Sequence, residues 1–152
     1  MAKKPIPDNA KGFIPYLIVK NAKEAVGFYE KAFNGKRGIC INMKDGSVGH
    51  AEVIVGDTTI MLAEERPEWN VQGPLSLGGC PITLTLYVED VDKAAETVTN
   101  AGMKVKKPVE NQFYGDRMGT FTDPYGYEWC LGTHIEDVTP EDMQKKMNEM
   151  YG

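Results

Sequence analysis

The feature that most constrains the fold of this chain is an internal repeat. Residues 17–26 (LIVKNAKEAV) align with residues 86–95 (LYVEDVDKAA) at an offset of 69 positions. A second match, between residues 56–62 and 126–131, keeps an offset of about 70. A chance likeness of short apolar strands is the alternative, but two matches at opposite ends of one unit favour a duplicated module, because a fixed period marks a repeated architecture.

Each half predicts the order strand, helix and three strands (βαβββ). The first strand of each half ends at a residue suited to N-capping, Asn21 or Asp90. Apolar residues at helical spacing follow, and each helix is predicted to end at a left-handed glycine, Gly35 or Gly102. The predicted strands are 14–20, 38–43, 49–55 and 58–63 in the first half, and 82–89, 104–108, 118–122 and 127–133 in the second.

The repeat also divides the chain. Residues 1–12 are a leader, 13–64 and 81–134 are the two modules, and 65–80 form a Pro/Gly-rich linker that contains Trp69. Residues 135–152 are a tail with one more helix, predicted to start at Thr139 and Pro140. Three methionines at helical spacing line that helix, which suits contact with a partner subunit or with the rim of its own cavity: Met143, Met147 and Met150.

Charge and composition exclude several classes of protein. The 152 residues carry a net charge of −5, which argues against nucleic acid as a partner because phosphate binding needs a basic face. No apolar run has the roughly 20 residues that span a bilayer, and the N-terminus has no apolar signal core. The three cysteines, an odd number without Cys-x-x-Cys spacing, favour free thiols in the cytoplasm.

The paired βαβββ modules and several motifs resemble the vicinal-oxygen-chelate superfamily, within it the PhnB-like glyoxalase/bleomycin-resistance group. The likeness runs from about Phe13 to His134 and includes the turn 123–126 (DPYG) before the last strand. The other motifs that carry it are 15–17 (PYL), 28–33 (FYEKAF), 50–52 (HAE), 56–57 (GD) and 114–117 (YGDR). The resemblance implies an α+β fold whose strands curl around a small-molecule cavity, with the helices outside. It also implies a homodimer, since relatives often build their cavities between chains.

The same resemblance bears on metal binding. Metal-dependent members place His and Glu at positions that correspond here to Ile14, Thr83, Ile60 or Met61, and Cys130. None of these is His or Glu, and hard divalent ions need O or N donors, so the usual metal site and any cofactor are expected to be absent. A displaced divalent-metal site is the alternative, formed by cavity-facing donors: His50, Glu52, Glu128 and perhaps Cys130.

Strand alternation, combined with the implied cavity, selects candidate site residues. His50 and Glu52 are the catalytic candidates, because histidine is the usual general acid or base in enzymes and Glu52 two residues on would orient it. The alternative is structural, with His50 bonded to a neighbour and Glu52 facing solvent. The ligand-binding residues predicted from the strands are Tyr16, Thr83, Thr85, Tyr87, Glu128 and Cys130. A predicted loop before the strand 118–122 adds Phe113, Tyr114 and Arg117.

Some of these residues have alternative roles. Arg117 is predicted to clamp a carboxylate or phosphate, or else to form an ion pair with Asp116 or Asp123. The aromatic residues suit a flat or amphipathic ligand but also suit a core. Cys130 is expected to be a buried inert thiol, and His134 a surface residue.

Two functions remain open at this point. The missing metal ligands favour a protein that binds or sequesters a small molecule. The grouping of His50, Glu52 and Arg117 favours an enzyme instead, a lyase, isomerase or transferase acting beside a carbonyl.

Overall fold

The computed structural model describes residues 4–152, and these form two compact units that divide between Cys80 and Pro81. Each unit has the predicted order βαβββ, so the repeat is confirmed. The elements of the first unit are β1 (Tyr16–Val19), α1 (Ala22–Phe33), β2 (Lys36–Asn42), β3 (Val48–Val55), β4 (Thr58–Glu64), a 3₁₀ turn (Pro67–Trp69) and α2 (Pro74–Leu77). Those of the second are β5 (Thr83–Tyr87), α3 (Val91–Ala101), β6 (Lys104–Asn111), β7 (Asp116–Thr122), β8 (Glu128–His134) and α4 (Pro140–Tyr151).

Each unit holds one four-stranded mixed sheet. The strand orders are β1-β4-β3-β2 in sheet 1 and β5-β8-β7-β6 in sheet 2, so the two sheets have the same topology. In each sheet the first strand pairs in parallel with the last, and the other pairs are antiparallel. The parallel pair is possible because the helix and two strands carry the chain back across the sheet. The fold is α+β, as predicted.

The helix starts follow the sequence, but one helix end does not. Asn21 Oδ1 accepts from the N–H of Glu24 at 3.1 Å, and Asp90 Oδ1 accepts from Lys93 at 3.0 Å, which confirms both N-caps. At the end of α1 the left-handed residue is Asn34, with φ 50°, and not the predicted Gly35. Gly35 is needed for space instead, because a Cβ there would lie 2.7 Å from Cγ1 of Val53.

One face of each sheet packs under its helix. The buried apolar side chains between sheet and helix form the core of each unit. They include Leu17, Val19, Tyr29, Val53, Ile60 and Leu62 in the first unit and Val91, Val98, Phe121, Trp129 and Leu131 in the second. The opposite face of sheet 1, here called open face 1, carries Tyr16, Ile18, His50, Glu52 and Met61. The corresponding open face 2 carries Thr83, Thr85, Tyr87, Glu128 and Cys130. The predicted alternation of faces is observed in β1, where Leu17 is 3% and Tyr16 is 48% exposed, and in β5.

No helix among residues 4–152 is both long enough and apolar enough to cross a membrane.

Candidate functional site

Three side chains on open face 1 form a hydrogen-bonded row. The Tyr16 hydroxyl lies 3.0 Å from Nδ1 of His50, and Nε2 of His50 lies 3.4 Å from Oε1 of Glu52. Residues two apart on a strand share a face, which is why His50 and Glu52 meet. Tyr16 joins them because β1 and β3 flank β4 in the sheet, although it is 34 positions from His50 in the sequence.

Glu52 is the buried end of this row, which contradicts the alternative in which it faces solvent. It is only 6% exposed, whereas the side chain of His50 is 26% exposed. Its second carboxylate oxygen accepts from Nδ2 of Asn9 at 3.4 Å, and the carbonyl of Asn9 accepts from the hydroxyl of Thr59 at 2.7 Å. The leader therefore covers part of open face 1, a role that no pattern in the sequence suggested.

A cavity of about 260 Å³ opens beside Tyr16 on the same face. Its lining is mostly apolar and comes from β1, the β2–β3 turn, the start of β3, the end of β4 and the linker. The residues are Tyr16, Ile18, Met43, Val48, Gly49, Ala63, Glu64, Arg66, Trp69 and Val71. The linker residues belong to a stretch that the sequence identified as a connection only. A tryptophan between turn-forming residues was the one available signal of a further role.

The linker is fixed against the sheet at several points. The backbone of Arg66 bridges to Val71, and the N–H of Gly73 donates to Oε1 of Glu65 at 2.7 Å. Gly73 also passes so close to β1 that a Cβ there would lie 2.3 Å from the carbonyl oxygen of Ile18. These contacts hold the 3₁₀ turn that carries Trp69 in one place beside the cavity.

On open face 2, the predicted residues Thr83, Thr85, Tyr87, Glu128 and Cys130 do share one face. The Glu128 carboxylate accepts from Nζ of Lys106 and, at 3.0 Å, from the hydroxyl of Thr83. The Lys106 hydrogen bond, opposed by burial and helped by Thr83, holds the pKa of Glu128 below its usual value. Glu128 is thus an ionised, already paired carboxylate.

Sheet 2 carries a second row of hydrogen bonds, which no sequence pattern predicted. The buried carboxylate of Asp116 accepts from the Tyr87 hydroxyl at 2.5 Å and contacts Nδ1 of His134 at 2.7 Å. The other ring nitrogen of His134 lies 2.8 Å from Asp137 in the tail. The hydrogen bond to Asp116 raises the pKa of Tyr87 to about 12, and the carboxylates of Asp137 and Asp116 raise the pKa of His134.

Arg117 lies in β7, not in the predicted loop, and it is not on open face 2. In β7 it pairs with Thr133 of β8, on the side where α3 packs, and its guanidinium makes two 2.8 Å bonds to Asp92 of α3. It also donates to Asn111 at 2.9 Å. The predicted ligand clamp is therefore replaced by a structural ion pair, and the partner is neither Asp116 nor Asp123.

Phe113 and Tyr114 lie in the turn before β7, with ring centroids 5.3 Å apart in an edge-to-face arrangement. The Tyr114 hydroxyl donates to the sulfur of Met118 at 3.3 Å, and burial raises the pKa of Tyr114. The carbonyl of Phe113 accepts from Lys146 of α4. Both aromatic rings are half-buried, so they serve the packing of sheet 2 as well as any ligand.

The side chains present do not fit a divalent metal at the superfamily positions. Ile14, Ile60 and Met61 offer no oxygen or nitrogen, and Thr83 already donates to Glu128. Across residues 4–152, no three His, Cys, Asp or Glu side chains gather as metal ligands would. The expectation of a protein without this metal stays a prediction, and no step is derived through one.

The sequence profile of the Glyoxalase/Bleomycin resistance protein/Dioxygenase superfamily matches residues 13–131 of the chain. The chain belongs to this superfamily. Its sequence is 36% identical over 137 residues to an uncharacterized protein of Mycobacterium bovis, Mb0911c, across 88% of this chain and 90% of the relative. The chain is also 36% identical over 137 residues to an uncharacterized Mycobacterium tuberculosis protein, Rv0887c, and that alignment covers 88% of this chain and 81% of the relative.

Solved structures support the superfamily fold. TioX from Micromonospora sp. ML1 has a TM-score of 0.64 and 19% identity, over 82% of this chain and 99% of that one. TnmS3, described as an antibiotic binding protein from Streptomyces sp. CB03234, has a TM-score of 0.61 and 20% identity, over 88% and 98%. At these identities the likeness to the two solved structures shows a shared fold and does not indicate a shared activity, because one fold supports many activities.

We predict that the tail contact of this superfamily member weakens as pH rises. The pKa of His134 is raised above its usual 6.5 in the folded state, so the contribution of the protonated ring to stability is fully present below pH 6.5. It is lost as the pH rises through the raised pKa, because a neutral ring cannot donate to both Asp116 and Asp137. An NMR pH titration of the two histidines, with amide exchange of residues 135–152, measures both effects.

Asp137→Asn should move the pKa of His134 back toward 6.5, since the Asp137 hydrogen bond is the largest cause of the shift. Glu149→Gln removes the same charge from α4 and is the matched control, which should leave His134 nearly unchanged. Equal shifts in both variants would show that general charge, and not the contact, governs the titration.

Proposed function

We propose that this protein binds a small organic molecule in the cavity on open face 1 and does so without the usual metal of the superfamily. The observation that carries the proposal is the cavity itself, whose lining is mostly apolar and includes the charged residues Glu64 and Arg66. Its volume of about 260 Å³ is just below the roughly 300–1,000 Å³ of sites that hold a whole drug-sized ligand. It therefore suits a small ligand or one end of a larger one.

The superfamily context agrees with a binding role. Its members include an antibiotic binding protein among the structures with this fold. The ligand proposed here is a neutral organic molecule, since Arg66 in the cavity wall already has an acidic neighbour, Asp45, at 3.5 Å. Membership of the PhnB-like group, a cytoplasmic homodimer, and a cavity shared by the two modules stay predictions, and nucleic acid is not a proposed partner.

Filling the cavity should abolish binding. Met43 lines the cavity and is 38% exposed, so Met43→Trp adds bulk at its rim without a buried clash. We expect the affinity for hits from a library of neutral fragments to fall by about tenfold or more, since the ring takes the ligand's space. Binding is measured from the amide NMR signals of Ile18 and Ala63.

Leu75→Trp is the control, because Leu75 is an exposed residue of α2 that does not line the cavity. Hits that bind Met43→Trp and the wild-type protein equally well would contradict the proposal. A library that never shifts Ile18 or Ala63 would also contradict it.

A second candidate function, an enzyme of the lyase, isomerase or transferase type, is favoured by the row Tyr16–His50–Glu52. If Nε2–H of His50 donates to the buried carboxylate of Glu52, then Nδ1 carries the lone pair and accepts from the Tyr16 hydroxyl. Glu52 thereby orients the ring, and His50 draws the proton of Tyr16 toward itself. Because Tyr16 is 48% exposed, its hydroxyl, and not His50, is then the group that would meet a substrate.

This arrangement predicts a specific ranking of variants. His50→Ala and Tyr16→Phe should each lower turnover of a carbonyl substrate by about 100-fold, the usual contribution of acid–base catalysis, with little change in Tm. His50→Gln is the isosteric comparison, because an amide bonds to both neighbours but does not carry the proton. Turnover that survives in Tyr16→Phe would contradict the relay.

A further inference from the structure

The cavity on open face 1 has an aromatic wall, Trp69, which stands on a backbone turn that is held in place. Trp69 lines the cavity while 63% of its surface remains exposed, which is unusual for so large an apolar side chain. The ring belongs to the 3₁₀ turn Pro67–Trp69, whose backbone closes through Trp69 N–H to the carbonyl of Arg66 at 2.9 Å. Because this backbone is already ordered, little further backbone freedom is lost when a ligand contacts the indole.

Arg66 contributes to this fixation. Its guanidinium carbon lies 6.0 Å from the centroid of the Trp69 ring, a distance typical of a cation–π contact. The guanidinium is itself held by the Ser47 hydroxyl and by Asp45. An aromatic ring has two faces, and the guanidinium can contact only one of them. A ligand could therefore stack only on the other face of the indole.

The remaining walls are suited to a flat group. Tyr16 supplies a second aromatic ring, and the side chains of Ile18, Met43 and Val71 add apolar surface. Methionine adapts to the outline of a ring, and its sulfur interacts favourably with aromatic edges. Two aromatic side chains, adaptable apolar walls and a small volume together favour a planar group over a branched or saturated one.

We infer that the ligand of this site presents a flat, uncharged, fused-ring aromatic group that stacks on Trp69, with Arg66 as the residue that positions the indole. The inference rests on the proposed binding function and specifies its ligand class. Trp69 and Arg66 act here in recognition, and neither takes part in the row of Tyr16, His50 and Glu52.

The test compares 2-naphthol with its saturated counterpart decahydro-2-naphthol, two neutral probes with the same ring skeleton and the same hydroxyl. The readout is the pair of tryptophan indole N–H signals in an NMR titration. Trp129 is the internal reference, since its indole N–H is buried and donates to Asp123 at 2.8 Å. We expect 2-naphthol to shift the Trp69 signal in a saturable way, leave Trp129 unmoved, and bind about tenfold or more tightly than the saturated probe.

Variants then separate stacking from general apolar contact. Trp69→Phe should keep part of the preference for the flat probe, whereas Trp69→Leu should remove it, because leucine offers apolar area without a flat face. Arg66→Lys should weaken binding of 2-naphthol by a smaller factor, since a lysine holds the indole less rigidly. Leu77→Ala, at an exposed residue of the same linker outside the cavity, is the control and should change nothing.

The failure modes are distinct. If both probes bind equally, or if 2-naphthol shifts Ile18 and Ala63 without Trp69, the stacking inference is wrong while the binding function stands. If neither these probes nor the fragment library shifts any cavity signal, the binding function itself is wrong, and the inference fails with it.

Discussion

Asp123→Ala should lower the free energy of unfolding by roughly 3–5 kcal/mol, the largest effect expected from any single polar substitution discussed here. Asp123 is 5% exposed and stands at the start of the turn before β8. One carboxylate oxygen accepts from the N–H groups of Tyr125 and Tyr127, both at 2.9 Å, and the other accepts from the Trp129 indole at 2.8 Å. Alanine would remove the acceptor of all three of these hydrogen bonds.

Asp123→Asn separates charge from hydrogen bonding. Its single amide oxygen can replace one of the two acceptors, so we expect an intermediate loss of roughly 1–3 kcal/mol. Asp57→Ala, at an exposed aspartate in the β3–β4 turn, is the matched control and should change stability by less than about 0.5 kcal/mol. Urea denaturation measures all three, and an Asp123→Ala variant as stable as the control would contradict the role given to this carboxylate.

Leu62→Ala and Leu131→Ala should each lower the free energy of unfolding by about 2–5 kcal/mol, and the two losses should be similar. The two residues are 69 positions apart and are equivalent in the repeat, each fully buried in the last strand of its sheet. Leu62 pairs with Leu17 and Ala51, and Leu131 pairs with Leu86 and Gly119, so each lies in a central strand under its helix. Truncation leaves a cavity that the surrounding strands cannot close.

Urea denaturation again gives the measurement, with Leu77→Ala as control because Leu77 is 67% exposed on α2. A loss below about 1 kcal/mol at only one of the two leucines would show that the halves are not equivalent in their packing. Similar losses at both leucines would show that the two halves, already alike in sequence and topology, also depend equally on core packing for their stability.

The secondary structure was largely predictable because its signals are local. Asn21 and Asp90 cap helices through atoms three residues away, and the alternation of residues such as Leu17 and Tyr16 follows from the pleat of a strand. Gly35 shows the limit of such reasoning. The sequence indicates a glycine at the helix end, but its reason is the approach of Val53 from another strand.

The candidate site was predictable only in part. His50 and Glu52 share a face by alternation, yet the burial of Glu52 depends on Asn9, 43 positions away. Arg117 was predicted to meet the ligand because the strand was expected to begin at Met118, which left Arg117 in a loop; β7 in fact begins at Asp116. The register with β8, which sets Arg117 opposite Thr133, decides that Arg117 faces α3 and Asp92.

The sequence alone determined the duplicated βαβββ plan, the superfamily, and the positions where a metal ligand is lacking, because each depends on residue type and on short-range periodicity. The tertiary structure alone decided which groups meet. It brought Tyr16 to His50, folded the linker so that Trp69 and Arg66 line a cavity, and joined Asp116, His134 and the tail. Those contacts depend on strand register and on how loops return to the sheet, and both are fixed by long-range packing that no local pattern encodes. The repeat that marks the sequence so clearly therefore gives two like frameworks, while the side chains each framework presents differ.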